Sequence, residues 1–168
     1  MTGTWRWLLA AMVAWTIAAP AAEMTPSERE PSDADEPVVT LVQGGDETTL
    51  SLADIEQSLT LFDTELEHFE GPSGTFTGVR LRDLLAEHGL DEARRVRLTG
   101  SDGYTIFLDR EEIEAKERLL ATRLDGEPIP ADAFGPLMLM VPAEADAALA
   151  GETSVTKWIW AVTTISGS

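Results

Sequence analysis

With 168 residues the chain has room for one domain and its flanking segments. Twelve Lys and Arg stand against 30 Asp and Glu, a formal charge of −18 that repels nucleic acid and anionic lipid, because both bind through cations that displace their counterions. The absence of cysteine excludes disulfides and thiolate-built zinc or iron–sulfur sites, and the two histidines, His68 and His88, fall on different predicted elements, which argues against a histidine metal site.

At the start, Arg6 precedes an apolar run from Trp7 to Ala19 broken only by Thr16, and Ala19-Pro20-Ala21 supplies the small residues a signal peptidase needs. Residues 1–21 read as a cleavable export signal, cut after Ala21 or Ala22, since the run is shorter than the roughly 20 residues that span a bilayer. The expected location is the periplasm, and removal of Arg6 takes the charge to about −19. Residues 22–37 are rich in Glu, Asp and Ser, carry Pro26, Pro31 and Pro37, and have almost nothing apolar to bury. They are expected to form a disordered acidic linker before a domain over residues 38–168.

Within that domain, Val38 to Val42 reads as a strand ending at the turn Gly44-Gly45. Ser51 with Asp54 forms a capping-box start for a helix over Leu52 to Ser58. Leu59 to Phe69 reads as a strand with an irregular end, followed by a loop from Glu70 to Gly74 and a strand from Thr75 to Val79. Leu81, Leu84 and Leu85 share a helix face, and Gly89 stands where a left-handed stop is needed. Val96 to Thr99 and Tyr104 to Leu108 are short strands around Gly100-Ser101-Asp102-Gly103. A helix is predicted from Arg110 to Arg118 with Ile113 inward, then a strand from Leu119 to Leu124 and the turn Asp125-Gly126. Leu137 to Val141 is a buried-strand run closed by Pro142, and Trp158 to Ile165 reads as the last strand. Many strands, short helices and no strict βαβ alternation predict an α+β class.

Nothing in the sequence demands catalysis. There is no G-x-S-x-G, P-loop or G-x-G-x-x-G, neither histidine sits in a recognisable catalytic context, and carboxylate pairs in so acidic a chain are mostly solvated surface. No catalytic residue is expected. Four constellations allow binding, each with a plain structural alternative. Arg80 and Arg82 are either salt-bridge partners or a cationic rim. Asp102 and Tyr104 are either a hairpin turn or a hydrogen-bonding and stacking pair. Pro142 is either edge protection or the wall of a pocket. Trp158 and Trp160, which point to one face of a strand with Lys157 on the other, are either core or a ligand platform.

Taken in order, Phe76-Thr77-Gly78-Val79 with Leu81-Arg82-Asp83-Leu84-Leu85, Asp102-Gly103-Tyr104, Leu124-Asp125-Gly126-Glu127-Pro128-Ile129, Gly135-Pro136-Leu137 through Val141-Pro142, and Lys157-Trp158 make a recognisable series. The chain resembles the oxidoreductase molybdopterin-binding domain, the core fold of sulfite oxidases, from about Val38 to Ile165. The resemblance implies an α+β domain with mixed β-sheets and short helices. Molybdenum enzymes of this fold ligate the metal with a cysteine in the region equivalent to Leu59–Phe69; that stretch here has none, so no metal is expected.

The chain is more similar to a small exported branch that includes periplasmic pterin-binding signalling proteins. That similarity implies a pterin or molybdopterin-like ligand and a membrane-bound receptor with a periplasmic sensor domain, of the cyclic-di-GMP enzyme or histidine kinase kind. Carried over by position, the implied ligand-binding residues are Phe69, Asp102, Tyr104, Arg123, Pro142, Lys157 and Trp160. Phe69 stands where the branch often has tryptophan and Lys157 where it often has arginine; stacking survives the first change, bidentate hydrogen bonding does not survive the second. The expected function is a non-catalytic pterin-binding protein that relays a ligand signal. The alternatives are a molybdenum-cofactor oxidoreductase with a non-cysteine ligand and a ligand-free interaction module.

Overall fold

The computed structural model describes residues 21–168; the expected export signal therefore lies, apart from Ala21, outside the described residues. Among the described residues, two sheets and four short helices form the α+β fold. The first sheet contains β1 (Thr25–Pro26), β4 (Phe62–Glu67), β5 (Ser73–Arg80), β8 (Leu119–Leu124), β9 (Glu127–Pro128) and β10 (Met138–Met140). Its order is β1-β4-β5-β8-β10, with β9 paired to β8 and every pairing antiparallel. The second contains β2 (Pro37–Gln43), β3 (Asp46–Ser51), β6 (Arg95–Gly100), β7 (Thr105–Asp109) and β11 (Val162–Gly167), ordered β3-β2-β11-β6-β7. It is mixed, because β11 runs parallel to β2 and antiparallel to β6.

Side-chain alternation explains which faces are buried. In the second sheet Val39 and Leu41, Val96 and Leu98, and Ile106 and Leu108 point inward, while the residues between them are less buried. A bulge between Val162 and Thr164 resets the phase of β11 so that Val162 and Ile165 both reach the core. The first sheet is covered on both faces, which is why β8 and β10 read as continuous apolar runs. Leu120 and Leu139 pack with Val79 and helices α1 (Leu52–Ser58) and α2 (Leu81–Glu87). Leu119, Ala121, Met138 and Met140 pack on the opposite side with Phe62, Phe76, Trp158 and helix α4 (Ala145–Leu149).

The predicted caps are present. Ser51 Oγ accepts from the Asp54 amide at 3.1 Å, and the Asp54 carboxylate accepts from the Ser51 amide at 2.8 Å. Gly89 closes α2 at φ +69°. Helix α3 (Arg110–Ala115), however, ends before the predicted Arg118. The backbone turns extended at Lys116, and the Arg118 amide oxygen is needed by the Leu81 amide at 3.0 Å, which commits the chain to β8. The predicted last strand is also shorter: Ile159 makes an isolated bridge to Leu139, Ala161 adopts φ +52°, and β11 begins only at Val162.

The segment expected to be a disordered linker is instead laid along the domain. Thr25 and Pro26 pair with Asp63 and Phe62, Ser27 Oγ donates to Asp63 at 2.8 Å, the Ser32 amide donates to Glu56 at 2.7 Å, and the Ala53 amide donates to the Ala34 oxygen at 3.0 Å. Composition alone indicated disorder because these residues bury little apolar surface. The partners that order them, Glu56 and Asp63, belong to elements about 25 to 40 residues further along, beyond the reach of a local reading.

Gly78, in the Thr-Gly-Val motif, is where β5 and β8 approach most closely. A Cβ there would lie 2.1 Å from the Leu120 carbonyl oxygen, so only glycine fits. Gly78→Ala is expected to destabilise the domain by about 3 kcal/mol through forced strand separation, measured as a lower urea midpoint with unchanged slope.

Candidate aromatic ligand site

Three loops meet at one end of the sheets. After β4, the His68 amide donates to the Pro72 oxygen and the Gly71 amide to the His68 oxygen, both at 3.3 Å, a tight reversal that presents His68 inward and Phe69 at its rim. Between β6 and β7, the Gly100 amide donates to the Tyr104 oxygen at 2.8 Å, Gly103 takes φ +85°, and the Asp102 carboxylate accepts from the Tyr104 amide at 2.9 Å. The third segment runs from Val155 to Trp160 and is tied to the second, because the Tyr104 hydroxyl donates to the Thr156 oxygen at 3.2 Å.

The rings brought together form a cluster. His68 stacks on Phe69 with centroids 4.7 Å apart, and Trp158 and Trp160 stand 5.5 and 5.9 Å from His68. Phe69 meets Trp158 edge-on at 5.7 Å, and Phe134 meets Trp160 edge-on at 5.8 Å. Beside this cluster opens a cavity of about 290 Å³ walled by Phe69, Trp158, Trp160 and Tyr104, with Asp102 and Glu70 as its carboxylates and Val155 and Thr156 completing it.

Of the seven residues that sequence placed at a ligand site, the fold brings four to this cavity: Phe69, Asp102, Tyr104 and Trp160. Arg123, Pro142 and Lys157 do not line it. The Arg123 guanidinium is paired with Glu56, whose side chain is fully buried, with Nε 3.0 Å from Oε1 and Nη2 bonded to Oε2. Pro142 opens a 3₁₀ turn (Pro142–Glu144) and faces a different hollow with Met24 and Arg80. Lys157 turns its Nζ to the Phe107 oxygen and lies 3.5 Å from Glu112. Arg80 and Arg82 are salt-bridge partners of Glu117 at 2.8 and 2.5 Å.

Trp158, Thr156, Val155, Glu70 and the supporting His68 and Phe134 were not among those seven. Trp158 carried a signal, its shared parity with Trp160 in Lys-Trp-Ile-Trp, but a core tryptophan reads the same way. His68 and Phe134 had none, since their role is to back rings that come from distant segments.

Burial pushes the His68 imidazole down to about 4. Its Nδ1 accepts the Glu70 amide at 3.2 Å, which places the proton of the neutral ring on Nε2. A histidine held neutral in the folded state and titrating near 6.5 when unfolded means that the unfolded chain binds more protons between those values. Stability is therefore full above pH 6.5, falls as the pH drops toward 4, and loses nothing further to this group below it. His68→Leu is expected to flatten that part of the melting temperature–pH curve, which a series of thermal melts would reveal.

The residues fit an aromatic ring better than a metal-bearing cofactor. Flat rings line the walls and carboxylates stand where an amino-substituted heterocycle would donate. No thiolate exists in the chain, His68 Nδ1 is already used as an acceptor, and among the described residues no group of three or more His, Asp or Glu is arranged to hold a metal.

A family profile described as the oxidoreductase molybdopterin binding domain matches residues 46–167. That stretch includes β3 through β11 and every wall of the aromatic cavity. No curated protein matches the chain.

Proposed function

The chain belongs to the oxidoreductase molybdopterin-binding domain family, and on that premise we propose that it is a non-catalytic, periplasmic pterin-binding protein. The observation that carries the reading is the cavity walled by Phe69, Trp158, Trp160 and Tyr104, in a chain of this family that has no cysteine. Its volume is near the lower end of ligand pockets, roughly 300 Å³, which suits a bicyclic ring rather than an extended cofactor. A pterin offers two faces for stacking and an amino-pyrimidine edge that donates to carboxylates, and Asp102 and Glu70 supply the acceptors.

At the edge of the cavity Phe69 stacks on the buried neutral imidazole of His68. Ligand capture at the rim, where Tyr104 is 49% exposed, gives a receptor's outer face something to sense. The partner proposed is a membrane-bound receptor with a periplasmic sensor domain, of the cyclic-di-GMP enzyme or histidine kinase kind. The N-terminal Arg-apolar-Ala-x-Ala sequence supports export to that compartment.

Calorimetric titration with oxidised and reduced pterins tests the binding, with saturable one-to-one heat expected. Absence of binding to either form would refute it. Stoichiometric molybdenum in protein made in a cofactor-competent host would refute the non-catalytic part.

A further inference from the structure

Strands β2, β6 and β7 of the second sheet bury one face only: the residues that alternate with their core positions are nowhere buried. The register sets the outward residues of the sheet in two transverse rows. Thr49, Thr40, Thr164, Thr99 and Thr105 follow one another across all five strands. Glu47, Val42, Ser166, Arg97 and Phe107 form the row beside them. The threonines are short and alike, so the face is level, and Phe107 stands on it 46% exposed.

Charge on this face departs from that of the chain. The formal charge is −18 overall, yet here Arg95 and Arg97 balance Asp109 and Glu47. Their placement is also antisymmetric about the central strand. Arg97 and Phe107 lie on β6 and β7 to one side of β11, and Glu47 lies on β3 at the opposite edge. Arg97 Nε donates to Ser166 Oγ of β11 at 3.1 Å, and among the described residues neither Arg97 nor Glu47 has a salt-bridge partner within 4.0 Å. Three strand spacings, about 14 Å, keep these two from meeting within one chain.

We propose that this face is the contact between two copies of the chain, packed sheet on sheet about a two-fold axis along β11. Rotation about that axis exchanges the two edges of the sheet. It sets β6 and β7 of one copy over β2 and β3 of the other, so each Arg97 meets the other copy's Glu47. The threonine rows then face one another. An axis across the strands sets β6 on β6 and β3 on β3 and gathers like charges, which repel. The face is only about 20 Å wide, at the low end for a specific interface, so the dimer is weak and forms as concentration rises. The contact needs neither a pterin nor a receptor and is independent of the reading above.

Sedimentation velocity over about a hundredfold range of loading concentration is expected to show reversible monomer–dimer exchange. Arg97→Glu and Glu47→Arg each turn both contacts into like-charge pairs and are expected to weaken the dimer at least about tenfold. Mixing the two variants puts opposite charges at each contact again and is expected to bring the dimer back, a rescue that only an intermolecular contact produces. Should either variant fail to fold by circular dichroism, Thr164→Cys supplies a thiol to a chain that has none, placed on the axis. A bis-maleimide spanning about 10 Å, the separation of packed sheets, is expected to join two such copies. The proposal is overturned by a chain that stays monomeric throughout, a dimer that the single variants leave unchanged, a mixture without rescue, or no cross-link in Thr164→Cys.

Discussion

Trp160→Ala is expected to weaken the proposed pterin binding by about ten- to a hundredfold, because its ring lines the aromatic cavity and stacking on an aromatic side chain contributes roughly 1–3 kcal/mol. Trp160 suits the test better than Trp158. Trp158 is 2% exposed and belongs to the core beneath α4, so its truncation would cost about 3–5 kcal/mol of stability and confuse lost binding with lost fold. Trp160 is only partly buried and packs against that core from outside. Trp160→Phe keeps a π-face and is expected to retain most of the affinity. Calorimetric titration of the two variants beside the unaltered chain reads the effect, with melting curves as the control. Equal affinity in Trp160→Ala would place the pterin elsewhere or nowhere.

Arg123→Met is expected to have the opposite signature: a loss of about 3–5 kcal/mol of stability with unchanged pterin affinity in the protein that remains folded. Glu56, at the centre of this cluster, has no solvent contact through its side chain. It accepts from Arg123, from Thr122 Oγ1 at 2.6 Å and from the Ser32 amide at 2.7 Å. Removing the guanidinium leaves the carboxylate buried with two neutral donors, and it also releases the Arg123 bond to the Glu30 oxygen that helps fasten residues 23–36. The double variant Glu56→Leu, Arg123→Met removes both charges and is expected to recover most of the loss. Chemical denaturation of the single and double variants measures the first effect, and titration at a permissive temperature measures the second. A fall in pterin affinity in folded Arg123→Met would return Arg123 to the ligand site that position-by-position transfer had given it.

The contrast between these two residues shows where a linear reading is strong. Trp160, Tyr104 and Asp102, which the fold brings to one cavity, each sit beside a local marker, a tryptophan pair or an Asp-Gly turn, whereas Phe69 entered only through the resemblance. The strands were legible for the same reason, since alternation in β2, β6 and β7 and continuous apolarity in β8 and β10 are properties of a few consecutive residues. The order of the motifs then pointed to the family that the profile match identifies.

Arg118 and Arg123 look alike in sequence, two arginines five positions apart around one strand. Arg118 caps α3 through the Glu112 and Lys116 oxygens, whereas Arg123 is neutralised by Glu56, 67 residues before it. The same holds for the acidic segment after Ala22. Its composition indicated disorder, yet Asp63 and Glu56 supply bonding partners that no window of neighbouring residues contains.

By itself, then, the sequence determined the absence of any thiolate, the strong negative charge, the α+β class and the run of motifs, because each depends on residue identity or on periodicity within one element. Tertiary structure alone decided which rings share a wall, which cations are spent on structure, and which residues share the open face of the second sheet. The physical reason is range: stacking, ion pairing and desolvation act between groups a few ångströms apart in space, and here those groups are separated by tens of residues along the chain.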